Sequence, residues 1–357
     1  MLLNDVKQRI AEPLGRLFSW APKMLTTGMV LALAGSSNCM ADYSRHPEAQ
    51  KFIDEMVRKN GFTREELQAW LAKAEKKQGI LDAISRPAEQ SKTWKEYRPI
   101  FIVPLRVVNG VKFWQENAVY LERAEKEYGV PAEIIVSIIG VETNYGRNTG
   151  AYNVLDALST LAFDYPPRAP FFRSELENYF LLMREQKHNP IEFKGSYAGA
   201  MGYGQFMPSS YRKWAVDFSG DGFTDIWKNP EDAIGSVANY FKQHGWQTNE
   251  PVTVGAHVTD GLKSGKFNDI TPPDVTIEQW RGRGVNPIEW LPPTTKAIAI
   301  QFDGVNGLEY WFGMQNFYVI TRYNRSPMYA MAVYQLSQSI KLEMDKLETN
   351  KAGNSEG

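Results

Sequence analysis

Between Pro131 and Gly150 the chain reads PAEIIVSIIGVETNYGRNTG, a segment that is apolar nearly all round when wound as a helix. Such a helix has to be surrounded by other elements, so it dictates a core built around it. Pro131 suits the first turn, where its missing N–H costs nothing. Ile134, Ile135, Ile138 and Ile139 share one face, and helical spacing brings Glu142 next on that face. Burial disfavours a carboxylate anion, so Glu142 is expected to hold a proton near neutrality, as a general acid must. The alternative is a Glu142 at a frayed helix end, reaching water and inert.

A chain of 357 residues with 43% hydrophobic content has material for one large or two to three small domains. Its 40 basic and 41 acidic residues nearly cancel, so it offers no field to nucleic acid. The single cysteine, Cys39, excludes intrachain disulfides and multi-thiolate zinc sites. His46, His188, His244 and His257 are too scattered to suggest a metal cluster or a Ser-His-Asp triad. The 13% aromatic content serves a core or a sugar-stacking surface equally well.

Residues 1–22 carry scattered charge and two prolines, and Lys23 precedes the apolar run Met24–Ala34. That run is short for a bilayer span but suits the apolar part of a secretory signal, so residues 1–41 read as an export segment cleaved after Ala41. A start at Met24 would account for the long stretch before Lys23. The alternative is a lipoprotein anchored through Cys39, although Ser36, Ser37 and Asn38 fit poorly before a lipidated cysteine.

From Pro47 the period is helical. Phe52, Ile53, Met56 and Val57 share a face that Gly61 ends, and Thr63 to Glu66 has the spacing of a capping box opening a second helix. Further helices are expected from about Val111 to Tyr128, over Asn153–Phe163, over Phe172–Glu185 and from Pro230 to Trp246, giving an antiparallel helical region over 42–250. The proline-rich loop DYPPRAP carries Arg168, either a solvated charge or a substrate contact. Beyond Glu250 the runs VTVGAHV, KAIAIQF and LEYWF, with Asp303-Gly304 and Asn306-Gly307 as turns, predict a small β-containing region over 251–325 that ends in Arg322, Tyr323 and Asn324. A closing helix follows over 326–348, and 349–357 reads as a disordered polar tail.

Two loops carry further signals. GSYAGAMGYGQFMPSSY, Gly195–Tyr211, has four glycines and two alanines in its first ten residues, the mark of backbone packed closely against something, with the Gln205 amide directly after. Met207 stands where a dinucleotide fingerprint needs its third glycine, so that reading fails and a merely flexible loop is the remaining alternative. From Asp217 to Asp225, oxygen-bearing side chains at Asp217, Ser219, Asp221 and Asp225, a glycine at Gly222 and the carbonyl of Phe223 follow the EF-hand calcium pattern. Lys228 stands where that pattern has its bidentate glutamate, so Asp232 or Glu231 has to supply the last carboxylate; a polar turn without metal is the alternative.

GVETNYG, the glycine-rich stretch, DFSGDG followed by EDAIGSVANYFKQHGW, and NFYVITRYN together resemble the lytic murein transglycosylase B family, in order from about Pro47 to about Leu347. The resemblance implies a mainly α, α+β fold with a lysozyme-like helical catalytic domain, a small β region and an EF-hand-like loop binding structural Ca2+. It implies an enzyme of the periplasm acting on peptidoglycan glycan strands, with Glu142 as sole acid/base and no catalytic cofactor. It also implies cleft roles for Tyr97, Arg168, Ser196, Gln205, Tyr323 and Asn324, and makes Asp232 the natural last ligand beside Asp217, Ser219, Asp221 and Phe223. A monomer is the expected state, and peptidoglycan synthases or amidases are the protein partners to look for.

Ordinary glycosidases need two carboxylates, about 5 Å apart when retaining and wider when inverting. No second acid accompanies Glu142 in its motif. One glutamate suffices if the substrate supplies the rest: the 2-acetamido group stabilises the developing charge and the sugar's own 6-hydroxyl replaces water, leaving a 1,6-anhydromuramoyl end. A water-using muramidase and a non-catalytic peptidoglycan-binding scaffold are the rivals.

Overall fold

The computed structural model describes residues 42–85, 92–259 and 266–355. The expected export segment and Cys39 lie outside them.

A single 3-10 turn, Tyr43–Arg45, leads into α1 (Pro47–Asn60), α2 (Arg64–Leu71) and α3 (Gln78–Ile84). The stop and start between the first two are local chemistry: Gly61 adopts φ 66°, and the Thr63 hydroxyl accepts the Glu66 N–H. α4 (Trp94–Phe101), α5 (Pro104–Glu116), α6 (Ala118–Tyr128) and α7 (Ala132–Thr143) follow. The single helix expected from Val111 to Tyr128 is two, because the buried Asn117 turns its side-chain amide back on the Phe113 carbonyl at 2.8 Å and breaks the winding. Pro131 is the residue before the first turn of α7, which is buried at nearly every position from Ala132 to Gly140.

β1 (Tyr152–Asn153) pairs antiparallel with β2 (Lys194–Gly195), and between them lie α8 (Val154–Asp164), a 3-10 turn at Pro166–Arg168, and α9 (Ala169–Glu185). α10 (Pro208–Trp214) and α11 (Pro230–Gln243) flank the acidic loop. β3 (Thr253–Val258), α12 (Ile277–Gly282), β4 (Val285–Pro287), β5 (Ile298–Gly304) and β6 (Gly307–Gly313) then give an antiparallel sheet of order β4-β3-β6-β5. The chain ends in α13 (Gln315–Tyr323) and α14 (Pro327–Ser355).

Two features depart from the sequence reading. The region taken as β-containing to 325 closes on a helix, α13, since Phe317, Val319 and Ile320 have a core to face on one side. The polar stretch after 348 continues α14 as far as Ser355, because it extends a winding that is already nucleated, although of its residues only Lys351 and Ala352 favour helix.

Three cores result. One surrounds α7 with side chains of α4, α5, α6, α11, α13 and α14 and the inner face of β5. A second joins the first three helices to α8, α9 and the glycine-rich stretch. The third is small and lies between the sheet and α12. Tyr323 packs against both of the first two, which marks the seam between them.

Candidate active site

α7 delivers Glu142 to that seam. The helix ends one residue later, and the chain leaves through three consecutive left-handed residues, Asn144 (φ 50°), Tyr145 (φ 61°) and Gly146 (φ 80°). Two of these are not glycine, and the packing that holds them is visible. The Tyr145 hydroxyl donates to the Arg106 carbonyl at 2.8 Å, and its ring lies where any side chain at Gly140 would stand. A side chain at Gly146 would run into the Tyr203 ring. Thr143 ties the exit together: its hydroxyl donates to the Tyr203 carbonyl at 2.9 Å and accepts the Gly146 N–H at 2.9 Å. The residues around Glu142 in GVETNYG therefore serve to end a helix abruptly against a second segment.

That second segment is the glycine-rich stretch. The Ser196 hydroxyl accepts the N–H groups of Ala198 (3.2 Å) and Ala200 (3.0 Å), folding the loop on itself. Gly150 leaves no room for a side chain against the Gly195–Ser196 backbone. Gln205 is left-handed (φ 51°), and its amide donates to the carbonyls of Thr149 (3.1 Å) and Gly202 (2.9 Å), bridging this loop to the exit from α7. Gly204 receives the Tyr323 hydroxyl on its carbonyl at 2.7 Å, where a side chain would meet that same hydroxyl. The close packing read from the glycines is thus packing against Leu158, Ile226 and Tyr323.

Glu142 itself is half-buried. The Tyr329 hydroxyl, from α14, donates to Glu142 Oε1 at 2.6 Å. Burial pushes the Tyr329 and Tyr323 hydroxyls well above the usual tyrosine range, and the Glu142 carboxylate adds to both shifts. Among the described residues, Glu142 is the one carboxylate acting on these two hydroxyls; the other contributors are tyrosines, Tyr97 among them. Tyr97 is buried on α4 between Trp94 and Phe101. Glu142, Tyr323 and Tyr97 are therefore gathered around Tyr329, Asn324 follows Tyr323 as the cap of α13, and Ser196 and Gln205 shape the facing loop. Arg168 is exposed, its guanidinium over the rings of Phe171 (4.6 Å) and Phe172 (5.2 Å) at the start of α9. Sequence reading missed Tyr329, which lies in α14 among ordinary apolar residues and is separated from Glu142 by 187 residues.

The acidic loop between α10 and α11 is folded on its own backbone. Asp217 accepts the N–H groups of Gly220 (2.7 Å), Asp221 (3.2 Å) and Gly222 (2.8 Å); against the opposing effect of desolvation, these bonds hold its carboxyl below the usual range. Asp232 is fully buried and accepts from Ser219 and Asp225, both at 2.8 Å. Glu231 is turned away to Arg123 at 3.0 Å, which leaves Asp232 as the carboxylate under the loop. The donors are all oxygen, as a hard cation requires. Among the described residues, however, no three acidic, histidine or cysteine side chains converge as a cage, so the EF-hand reading rests on donor chemistry and spacing alone. Among the described residues no helix is long and apolar enough to cross a membrane.

A half-buried carboxyl at a helix end, bonded by a tyrosine and faced by a tightly folded glycine-rich loop in a mainly helical fold, is the arrangement to compare with enzymes that cleave glycan strands. Residues 44–338 match the family model described as the transglycosylase SLT domain, and the chain belongs to that family. It is 47% identical over 311 residues to membrane-bound lytic murein transglycosylase B of Escherichia coli K12, covering 84% of each chain. Among solved structures, the catenated lytic transglycosylase SltB1 of Pseudomonas aeruginosa is 56% identical with a TM-score of 0.81, over 85% of this chain and 100% of that one. The Escherichia coli lytic transglycosylase Slt35 in complex with calcium is 46% identical with a TM-score of 0.77, over 88% of this chain and 99% of that one. SltB3 of Pseudomonas aeruginosa in complex with NAG-NAM-pentapeptide is 29% identical with a TM-score of 0.72, over 82% of this chain and 78% of that one. The chain is a lytic murein transglycosylase with a lysozyme-like fold.

Proposed function

We propose that Glu142 carries out both proton transfers in cleaving the β-1,4 bond between N-acetylmuramic acid and N-acetylglucosamine. The observation that supports this is the Glu142 carboxyl, bonded at Oε1 by Tyr329 and, among the described residues, the one carboxylate acting on the Tyr323 and Tyr329 hydroxyls. In the first half, Glu142 gives its proton to the leaving glycosidic oxygen while the acetamido oxygen of the muramoyl residue bonds to C1. In the second half, the Glu142 carboxylate takes the proton of the 6-hydroxyl, whose oxygen replaces the acetamido oxygen at C1. Glu142 ends protonated as it began, and the product is a 1,6-anhydromuramoyl end formed without water.

Tyr97, Tyr323 and Asn324 belong on the sugar-binding side in this reading, Ser196 and Gln205 shape the opposite wall, and Arg168 stands further out, where an anionic peptide stem would pass. Glu142→Gln keeps the shape but removes the transferable proton and the later base. Positioned acid–base catalysis contributes about 10²–10⁴-fold, and one group does both jobs here, so the loss should reach at least the upper end while glycan binding survives. Mass spectrometry of products from purified sacculi checks the chemistry: anhydro ends support the reading, and reducing ends, heavier by one water, would convert it to a muramidase.

The acidic loop in this reading takes calcium through Asp217, Ser219, Asp221, the Phe223 carbonyl and Asp232, as a structural ion with no part in proton transfer. The enzyme acts in the periplasm after removal of residues 1–41. N-terminal sequencing of the mature protein, finding Asp42 first, supports this placement, and a lipid-modified Cys39 would overturn it.

A further inference from the structure

The sheet turns one face to the core around α7, and that face is covered unevenly. Strand register sets Ile300, Trp311 and Gly255 in one row across β5, β6 and β3. Ile288, just beyond β4, continues the row. Its N–H donates to the Gly255 carbonyl at 2.8 Å, and its Cδ1 lies 2.9 Å from where a Gly255 side chain would begin. At the β5 end the row is closed: Ile300 is fully buried, and Trp94 of α4 stacks at 5.0 Å on Phe302, which points the same way as Ile300. At the other end it is open, with Trp311 half-buried and Ile288 69% exposed.

The loop after β4 is held in place. Pro287, Pro292 and Pro293 restrict its backbone and Leu291 is buried between the sheet and α12, so the exposure of Ile288 and of Trp290 (78%) belongs to an anchored loop. Glu289, between them, faces the half-buried Tyr334 of α14: burial raises the Tyr334 pKa, and Glu289 adds to the shift. Tyr334 and Trp311 pack against the same core. Beside Tyr334, Gln335 accepts from Arg98 of α4 at 2.6 Å, which fixes α14 against α4. We propose that Trp311, Ile288 and Tyr334 form a distal subsite for a neutral sugar unit of the glycan strand, beyond the units held at Glu142. This rests on the placement of cleavage at Glu142 made above.

The occupant follows from continuity and chemistry. Tyr334 stands five residues beyond Tyr329, about 7.5 Å along α14, so a strand that follows this helix away from Glu142 meets the open row next. A sugar ring offers an apolar C–H face to the indole and the isoleucine, and its hydroxyls to Tyr334 and Glu289 at the rim. The Glu289 charge favours a neutral unit over an anionic one. A contact made equally before and during bond cleavage lowers KM and leaves kcat alone.

The test compares Trp311→Leu and Ile288→Ser with the parent on long uncrosslinked glycan strands and on the shortest fragment the enzyme cleaves. On long strands KM should rise about 5-fold or more in Trp311→Leu and about 3-fold in Ile288→Ser, with kcat unchanged. On the short fragment both variants should match the parent. Ile288 is exposed, so its variant keeps the test independent of any effect of Trp311 on folding, and Val119→Ser, 75% exposed on α6, should match the parent on both substrates. An unchanged KM on long strands in either variant would overturn the inference. So would an equal rise on both substrates, an equal rise in Val119→Ser, or a fall in kcat alone. Glu142→Gln is run alongside: its inactivity together with an unchanged KM in the sheet variants removes the distal subsite and leaves the Glu142 assignment standing. Substantial activity in Glu142→Gln would overturn that assignment, and with it the point from which the strand is traced.

Discussion

At the residue scale, the site depends as much on what has no side chain as on what has one. Gly146 combines a left-handed backbone with contact against the Tyr203 ring, so Gly146→Ala pays twice. The left-handed conformation alone costs an L-residue about 1–2 kcal/mol, and moving Tyr203 disturbs the carbonyl that Thr143 bonds. Denaturant unfolding should show at least that loss, and lytic activity should fall further than stability because Glu142 stands four residues before the altered position. Gln205 is a related case: its left-handed φ is retained in a residue with a side chain because the amide bridges Thr149 and Gly202. The sequence showed that glycines crowd here and that an amide follows them, but not what they crowd against, since Tyr203, Leu158 and Tyr323 come from distant stretches.

At the scale of elements, what was legible follows from period and capping. The face of α7 that carries Glu142, the Thr63 start of α2 and the Gly61 and Gly129 stops are local and could be read directly. Asn117 was missed as a break because a buried asparagine amide turning back on its own helix has no signature in period. Tyr329 was missed for another reason: its hydroxyl meets Glu142 only through a contact between α14 and α7. The acidic loop is an element whose chemistry the sequence displays and whose closure it does not. It is pinned at its rim, with the Phe218 carbonyl accepting from Arg123, the Arg123 guanidinium over the Phe218 ring at 3.4 Å, and the ring against Gly235. If calcium gathers Asp217, Asp221 and Asp232, it binds only the folded state and should raise the melting temperature as its concentration rises, by the equivalent of about 2.7 kcal/mol at 100 times Kd. Unchanged melting of metal-free protein on adding calcium would remove the ion from this account.

For the whole molecule, the cluster beneath the seam sets a dependence on pH. His244 stacks on Tyr240 at 3.9 Å and lies 4.5 Å from Trp214, and burial lowers its pKa below the ordinary 6.5, with Lys213 and Arg322 acting in the same direction. A histidine whose pKa is depressed on folding takes up its proton more readily when unfolded. Its contribution to stability is therefore whole above about pH 6.5 and is lost as pH falls from there through the folded value. Chemical unfolding at pH 7.5 and 5.5 should show the difference, and His244→Gln should flatten it. The cluster reaches the site through the Tyr240 ring, 4.7 Å from that of Tyr323.

α14 begins beside the carboxylate with Tyr329 and is still helical at Ser355. At 1.5 Å per residue, the exposed Lys346 stands about 25 Å along one unbroken rod from Tyr329. The enzyme thus contains its own ruler. A spin label at Lys346 keeps a fixed offset from Tyr329 and the carboxylate it bonds, and a second at the exposed Arg168 rides on the start of α9, in the other large core. The distance between the two, followed as glycan strands are added, measures how far the walls of the cleft travel around a bound sugar chain.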